Sequence, residues 1–229
     1  MSKISYHVGP KAAQTLYYAE EQASRIGLPI NISITLNLAL LGISPHATTK
    51  AFQKLRNQRF APWVRRDKRQ ACVPTYTYGF ENSRNDVPFT DPHGPHNIHV
   101  HWAVHVPHRR HIAFEVELHR WVDEIAGSRE WLSEALLIKP VTDPGNVCQY
   151  PIKGAAKAVA KHYGVADEQV KAQGVVMGKR TGTSTNLGPA ARRSLDKKMK
   201  INRRANMAAG RTRRAQIVKH EQQQTSQLA

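Results

Sequence analysis

The chain has 229 residues, 34 of them lysine or arginine against 17 aspartate or glutamate, for a formal net charge of +17. That length suits one domain with a core of about 150 residues plus appendages, and the charge goes beyond what solubility needs, pointing to a polyanionic partner. No apolar run approaches the roughly 20 residues of a spanning helix, the segment MSKISYHVGPKAAQ lacks a signal-peptide core, and two cysteines, Cys72 and Cys148, exclude a disulfide framework or a cysteine-based zinc site. The expected setting is a reducing cytoplasm, the expected partner nucleic acid, and no membrane is expected.

Residues 1–28 carry the helical pattern PKAAQTLYYAEEQASRIG, with Gly27 as a stop, and read as a helical lead-in. PINISITLNLALLGI is rich in β-branched residues and sets Ile30, Ile32, Ile34 and Leu36 on one face of a core strand. SPHATTKAFQKLRNQRFAPWVRR reads as a helix that Pro62 interrupts. VPTYTYGFEN reads as a second strand ending at Glu81, and after a turn-rich loop HNIHVHWAVHVP reads as a third, paired with it. EVELHRWVDEIAG places Val116, Leu118, Trp121, Val122 and Ile125 on one helical side before Gly127. ALLIKPV predicts a strand, and DPGNVCQYPIKGAAKAVAKHYG a turn and a mostly helical run.

This order predicts an α+β domain over 29–190, an antiparallel sheet with helices packed on one side. From 191 to 229 the composition shifts to a basic, partly disordered tail. Eleven basic residues lie between Arg192 and Lys219 against one acid, Asp196.

The histidines are uneven. Eight of twelve, His93, His96, His99, His101, His105, His108, His111 and His119, fall within 27 residues, which suggests a metal site. In a strand, residues two apart share a face, so His99 and His101 project together while Val100 and Trp102 point away. Alternation assigns His105 to the same face, further along, where it would support the ligands rather than join them.

The pattern His, bulky apolar residue, His in an apolar strand ending in proline, HVHWAVHVP, resembles the signature of the HUH endonucleases: rolling-circle replication initiators, relaxases and related transposases. Glu81 matches the acidic ligand of the replication-initiator branch. SITLNL resembles its upstream threonine-bearing strand, and Tyr150 with Lys153 in QYPIKG matches its tyrosine three residues before a lysine. The resemblance covers about residues 30–160. It implies a ferredoxin- or RRM-like core, a divalent ion (Mg²⁺ or Mn²⁺) on Glu81, His99 and His101, and Tyr150 as nucleophile, with Lys153 beside it. It further implies a bacterial cytoplasmic protein acting on single-stranded DNA at an origin hairpin, with a host helicase as a possible partner, since no GxxxxGK[ST] loop occurs in the chain.

In chemical terms, a tyrosine phenol attacks phosphorus poorly near neutral pH unless a cation and good positioning assist it. Lys153, one helical turn on, is the candidate cation. Trp63 and Tyr76 are candidates for stacking on bases, with a core role as the alternative for Trp63; Trp121 and Trp131 are assigned to the core, and Tyr163 to packing. Lys179 and Arg180 in MGKRTGTS, and Arg192, Arg193, Lys197, Lys198, Arg203 and Arg204 beyond it, are the expected phosphate contacts. Relaxase or transposase strand transfer would use the same chemistry. A basic nucleic-acid-binding regulator without catalysis is the alternative of another class.

Overall fold

The computed structural model of the protein describes residues 4–67, 72–82, 97–127 and 133–200. His93, His96, Trp131, Arg203 and Arg204 lie outside the described residues. One compact unit spans Met1–Pro189 and a second spans Ala190–Ala229.

The elements follow in chain order. A short strand β1 (Ile4–Ser5) precedes α1 (Pro10–Tyr17) and α2 (Ala19–Arg25), then β2 (Ile32–Asn37). A long helix follows in three pieces: α3 (Thr48–Lys54), a π-helical turn (Leu55–Phe60) and α4 (Ala61–Arg65). Next come β3 (Tyr76–Asn82), β4 (Ile98–Val104), α5 (His111–Ala126), β5 (Leu136–Pro140) and α6 (Pro144–Gln149). A 3₁₀ turn (Tyr150–Gly154), α7 (Lys157–His162), β6 (Val176–Met177) and β7 (Thr181–Thr183) complete the first unit, and α8 (Pro189–Lys198) carries the chain into the second.

The fold is α+β. Five strands form one antiparallel sheet in the order β5-β2-β4-β3-β7, so the histidine strand β4 is central. One face is the main core. Ile32, Ile34 and Leu36 of β2, Val100 and Trp102 of β4, and Tyr78 and Phe80 of β3 meet Phe52 and Phe60 of the long helix and Phe114, Leu118 and Trp121 of α5. Trp102 is 1% exposed, with edge-on contacts to Phe52 and Phe60 at centroid distances of 5.4 and 4.9 Å. Each such pair is worth about 0.5–1.5 kcal/mol beyond area burial. Tyr76 is buried here against Phe60 and cannot stack on a base. Trp63 packs against the core beside Phe114, with the Arg110 guanidinium 3.5 Å over its ring.

Two helix expectations change. Pro62 does not end the long helix, because its missing N–H falls where the bonding pattern passes from π to α, at the first turn of α4. α5 begins at His111, earlier than the pattern suggested, and Val116 is 65% exposed. The buried row is Phe114, Leu118, Trp121 and Val122, and Val116, two residues from Phe114, lies some 200° around the helix from it. Gly127, at φ 71°, closes the helix as expected.

Helices are not confined to one side. The second face of the sheet is partly covered by a small cluster of Ala19, Ala23, Ala103, Cys148 and Leu187. Beside it Ala13 and Leu16 of α1 pack on Ile152, Ala160 and Tyr163. Tyr163 is therefore a packing residue. β1 pairs with β6, and Val8 N–H donates to Gly154 O at 3.0 Å, so residues 4–28 are built into the main unit and brace the 3₁₀ turn.

The stretch MGKRTGTS forms the end of β6, a turn and edge strand β7. Lys179 is exposed on that turn. Arg180 is not available to DNA: it is 3% exposed, and its guanidinium donates to the carbonyls of Phe80 (3.1 Å), Gln173 (3.1 Å), Ser5 (2.9 Å) and Gly174. Burial holds its pKa down to about 10. Five donors in a fixed fork suit a place where several backbone carbonyls converge. In the second unit Arg193, Lys197 and Lys198 are exposed, whereas Arg192 is buried and is removed from the expected phosphate contacts. Among the described residues no helix is long and apolar enough to cross a membrane.

Arg180→Met removes the side-chain donors from these buried carbonyls, of which Gln173 O keeps the Asn82 N–H, a loss of about 3 kcal/mol or more. For a unit of this size that lowers Tm by about 6–12 °C in a thermal scan, whereas Lys179→Met leaves Tm within about 1 °C.

Candidate active site

β4 presents His99 and His101 on the face opposite Trp102, as strand alternation requires. β3 runs antiparallel to it in a register that sets Glu81 directly across from His99 and Gly79 across from His101. On the other side β2 sets Thr35 across from His101 and Asn37 across from His99. Cross-strand neighbours lie about 5 Å apart, so pairing alone brings one carboxylate and two imidazoles together. Their ligating atoms all fall within 4.8 Å of one another.

The imidazoles are held by their far nitrogens. His99 Nδ1 lies 3.1 Å from Asn97 O. A carbonyl only accepts, so Nδ1 carries the proton, and in the neutral ring Nε2 turns a lone pair toward Glu81 Oε2 at 3.5 Å. A lone pair facing an anion is a contact that a cation relieves. His101 Nε2 lies 3.2 Å from the same Oε2, and its Nδ1 meets Thr35 Oγ1 at 3.2 Å. The Thr35 hydroxyl donates or accepts, so it serves either tautomer. Glu81, His99 and His101 therefore fit a divalent ion in donor set and in the support behind the two rings.

The fourth and fifth groups come from the 3₁₀ turn. Lys153 Nζ lies 3.1 Å from Glu81 Oε2 and 3.3 Å from Oε1, and it donates to the Tyr150 hydroxyl. Tyr150 is 39% exposed, and its ring stands edge-on to His101 at 4.6 Å. The turn reaches the sheet because β3 has a glycine where it lands: a Cβ on Gly79 would lie 2.5 Å from Pro151 Cβ. At the turn's other end a Cβ on Gly154 would lie 2.6 Å from Gln173 Cγ. Two side-chain-free positions thus fix the height of Tyr150 above His101.

Burial resists ionisation of Glu81, but the hydrogen bond from His101 and the Lys153 ammonium overcome it and hold the carboxyl well below the usual carboxylate range. For His101 burial is the larger effect and pushes its pKa down, with Glu81 pulling the other way. Lys153 already neutralises Glu81, which weakens that pull. Cys148, buried beneath this face, is pushed up to about 12 by desolvation and is inert as a thiolate.

Glu81, His99, His101, Tyr150 and Lys153 thus lie together at one place on the sheet. His105 does not take the supporting role assigned to it. β4 ends at Val104, and His105 Nδ1 donates to Pro29 O at 2.7 Å, anchoring the entry to β2. His108 and His111 belong to the same end, with rings 4.7 Å apart and His111 Nε2 on Val106 O at 2.9 Å. Thr35, Asn97 and Gly79 went unnoticed as site residues. The alternation of β2 hints at Thr35, while Gly79 depends on where a distant turn lands.

No protein-family model, curated protein or solved structure matches the chain.

The lowered pKa of His101 carries a pH dependence. Below its ordinary value of 6.5 the unfolded chain takes up the proton before the folded one, so stability falls as pH drops through that window. Glu81, depressed in the fold, keeps its stabilising charge there and loses it only at lower pH. In EDTA, Tm should decline from pH 6.5 toward 5, and His101→Gln should flatten that decline; an unchanged slope would refute the assignment.

Proposed function

We propose that the protein nicks and rejoins single-stranded DNA through a covalent 5′-phosphotyrosine on Tyr150, with Glu81, His99 and His101 holding a divalent ion, in the manner of the HUH replication initiators it resembles. The observation that carries this reading is Lys153, whose single ammonium touches both the Tyr150 hydroxyl and the Glu81 carboxylate. A nucleophile and a metal-ligand set from three separate segments thereby become one site. The five-stranded antiparallel sheet with the histidine pair on its central strand agrees with the family's core.

Mg²⁺ or Mn²⁺ on the three ligands would polarise a nonbridging phosphate oxygen and orient the phosphate. The chain's own groups do the rest. Tyr150 Oη attacks the phosphorus, the bond from phosphorus to the 3′ oxygen breaks, and that oxygen leaves as a 3′-hydroxyl with a proton while the phenol gives one up. The Lys153 ammonium offsets charge on the phenol oxygen or the phosphate. One phosphodiester replaces another, so the reverse reaction rejoins strands without a nucleotide cofactor. An exposed phenol beside a shallow sheet face suits an unpaired backbone. Lys179, Arg193, Lys197 and Lys198 are exposed cations able to contact its phosphates. Initiation of rolling-circle replication at an origin hairpin, with a host helicase supplying unwinding, is the use this chemistry fits best.

Labelled oligonucleotides with Mn²⁺ should give a protein adduct that survives denaturant. Tyr150→Phe should abolish it with DNA affinity within about twofold of wild type, and His101→Ala should slow it by on the order of 10²–10³. An undiminished adduct from Tyr150→Phe would remove Tyr150 as nucleophile.

Gly79→Ala tests the seat of the turn. The added methyl forces Pro151 and Tyr150 outward by about 1 Å, which costs on the order of 10² in rate. Pro151→Gly in the same chain removes both clashing atoms, Cβ and Cγ, and leaves Cα at 3.7 Å, so it should restore part of the rate, measured as single-turnover adduct formation.

A further inference from the structure

Lys153 has two partners that belong to different parts of the chemistry. Its Nζ spans both oxygens of Glu81, at 3.1 and 3.3 Å, and sits 3.6 Å from the centre of the Tyr150 ring while donating to its hydroxyl. The carboxylate it spans is the one whose Oε2 faces His99 and His101. Glu81 is the sole acid of that ligand group. The Lys153 side chain is 18% exposed and that of Glu81 11%, so little water screens either charge.

We infer that Lys153 is a built-in competitor for the metal position, neutralising Glu81 until a divalent ion claims that carboxylate and then turning its charge to Tyr150 and the scissile phosphate. This rests on the reading of the site as a metal-dependent nickase. An ammonium and a dication both draw on the single negative charge of Glu81, and they repel each other across it. By linkage, whatever Lys153 subtracts from the affinity for the ion, the ion subtracts from the hold of Lys153 on Glu81. The cation that assists the nucleophile is shared with Glu81 beforehand and unshared afterwards, so activation of Tyr150 depends on the ion being in place.

The opposite role, a lysine that orients Glu81 for the ion, predicts the opposite sign. Mn²⁺ titration of the full-length protein without DNA, read by calorimetry, separates them. Lys153→Met should bind Mn²⁺ more tightly, by about fivefold or more, and Lys153→Arg, which keeps the charge, should match wild type. Unchanged or weaker binding by Lys153→Met overturns the inference.

A second measurement uses the unaltered chain. Acetylation of Lys153 by acetic anhydride, mapped by mass spectrometry, should rise on saturation with Mn²⁺, and constant labelling overturns the inference even where the variant folds poorly. A wild-type protein that binds Mn²⁺ but forms no adduct on any oligonucleotide removes the nickase reading while the competition stands. Adduct formation with no tightening in Lys153→Met removes the competition alone. A wild-type protein that binds no Mn²⁺ removes both.

Discussion

Glu81 is buried, and its carboxylate has two imidazoles and an ammonium within 3.5 Å. A buried anion is costly unless it is paired and hydrogen-bonded, and here two imidazoles from one strand and an ammonium from a distant turn surround that single charge. The surrounding architecture reads as the means of bringing them to it. β3 supplies the anion, β4 the imidazoles, and the turn after α6 the ammonium together with the phenol it touches.

Two constraints make that convergence specific. The antiparallel register of β3 and β4 sets Glu81 opposite His99, and a one-residue slip would send either side chain into the aromatic core. Trp102, wedged between Phe52 and Phe60, resists such a slip because its indole has no other place to go. On the other face the turn is seated by absence of side chains at Gly79 and Gly154, and by α1 and the Val8 bridge behind it. Core packing thus acts on the site through the strands, and the N-terminal helices act on it through the turn.

The basic residues divide by burial rather than by sequence neighbourhood. Lys179 and Arg180 are adjacent, yet one is exposed and the other is enclosed by four backbone carbonyls. A high net charge indicates the kind of partner. It does not say which cations meet that partner, because arginine is also the side chain best able to satisfy a cluster of buried carbonyls.

The histidine pair of the site was legible in the sequence because strand alternation is local, whereas Glu81, Tyr150 and Lys153 were legible only through the family resemblance. A period of two puts His99 and His101 on one face and Val100 and Trp102 on the other whatever the rest of the chain does. The spacing of Tyr150 and Lys153 is equally local. Four things were decided only by tertiary structure. The end of β4 at Val104 turned His105 away to Pro29. The π turn let the long helix continue through Pro62. The pairing of β1 with β6 made Ile4 and Ser5 part of the main unit. The landing of the turn on Gly79 brought Tyr150 beside His101. Apart from the π turn, which is a local change of helical bonding, each depends on contacts between residues far apart in the chain, and such contacts leave no periodic trace in sequence. Periodicity therefore determined which side chains share a face, and only packing could decide which faces meet.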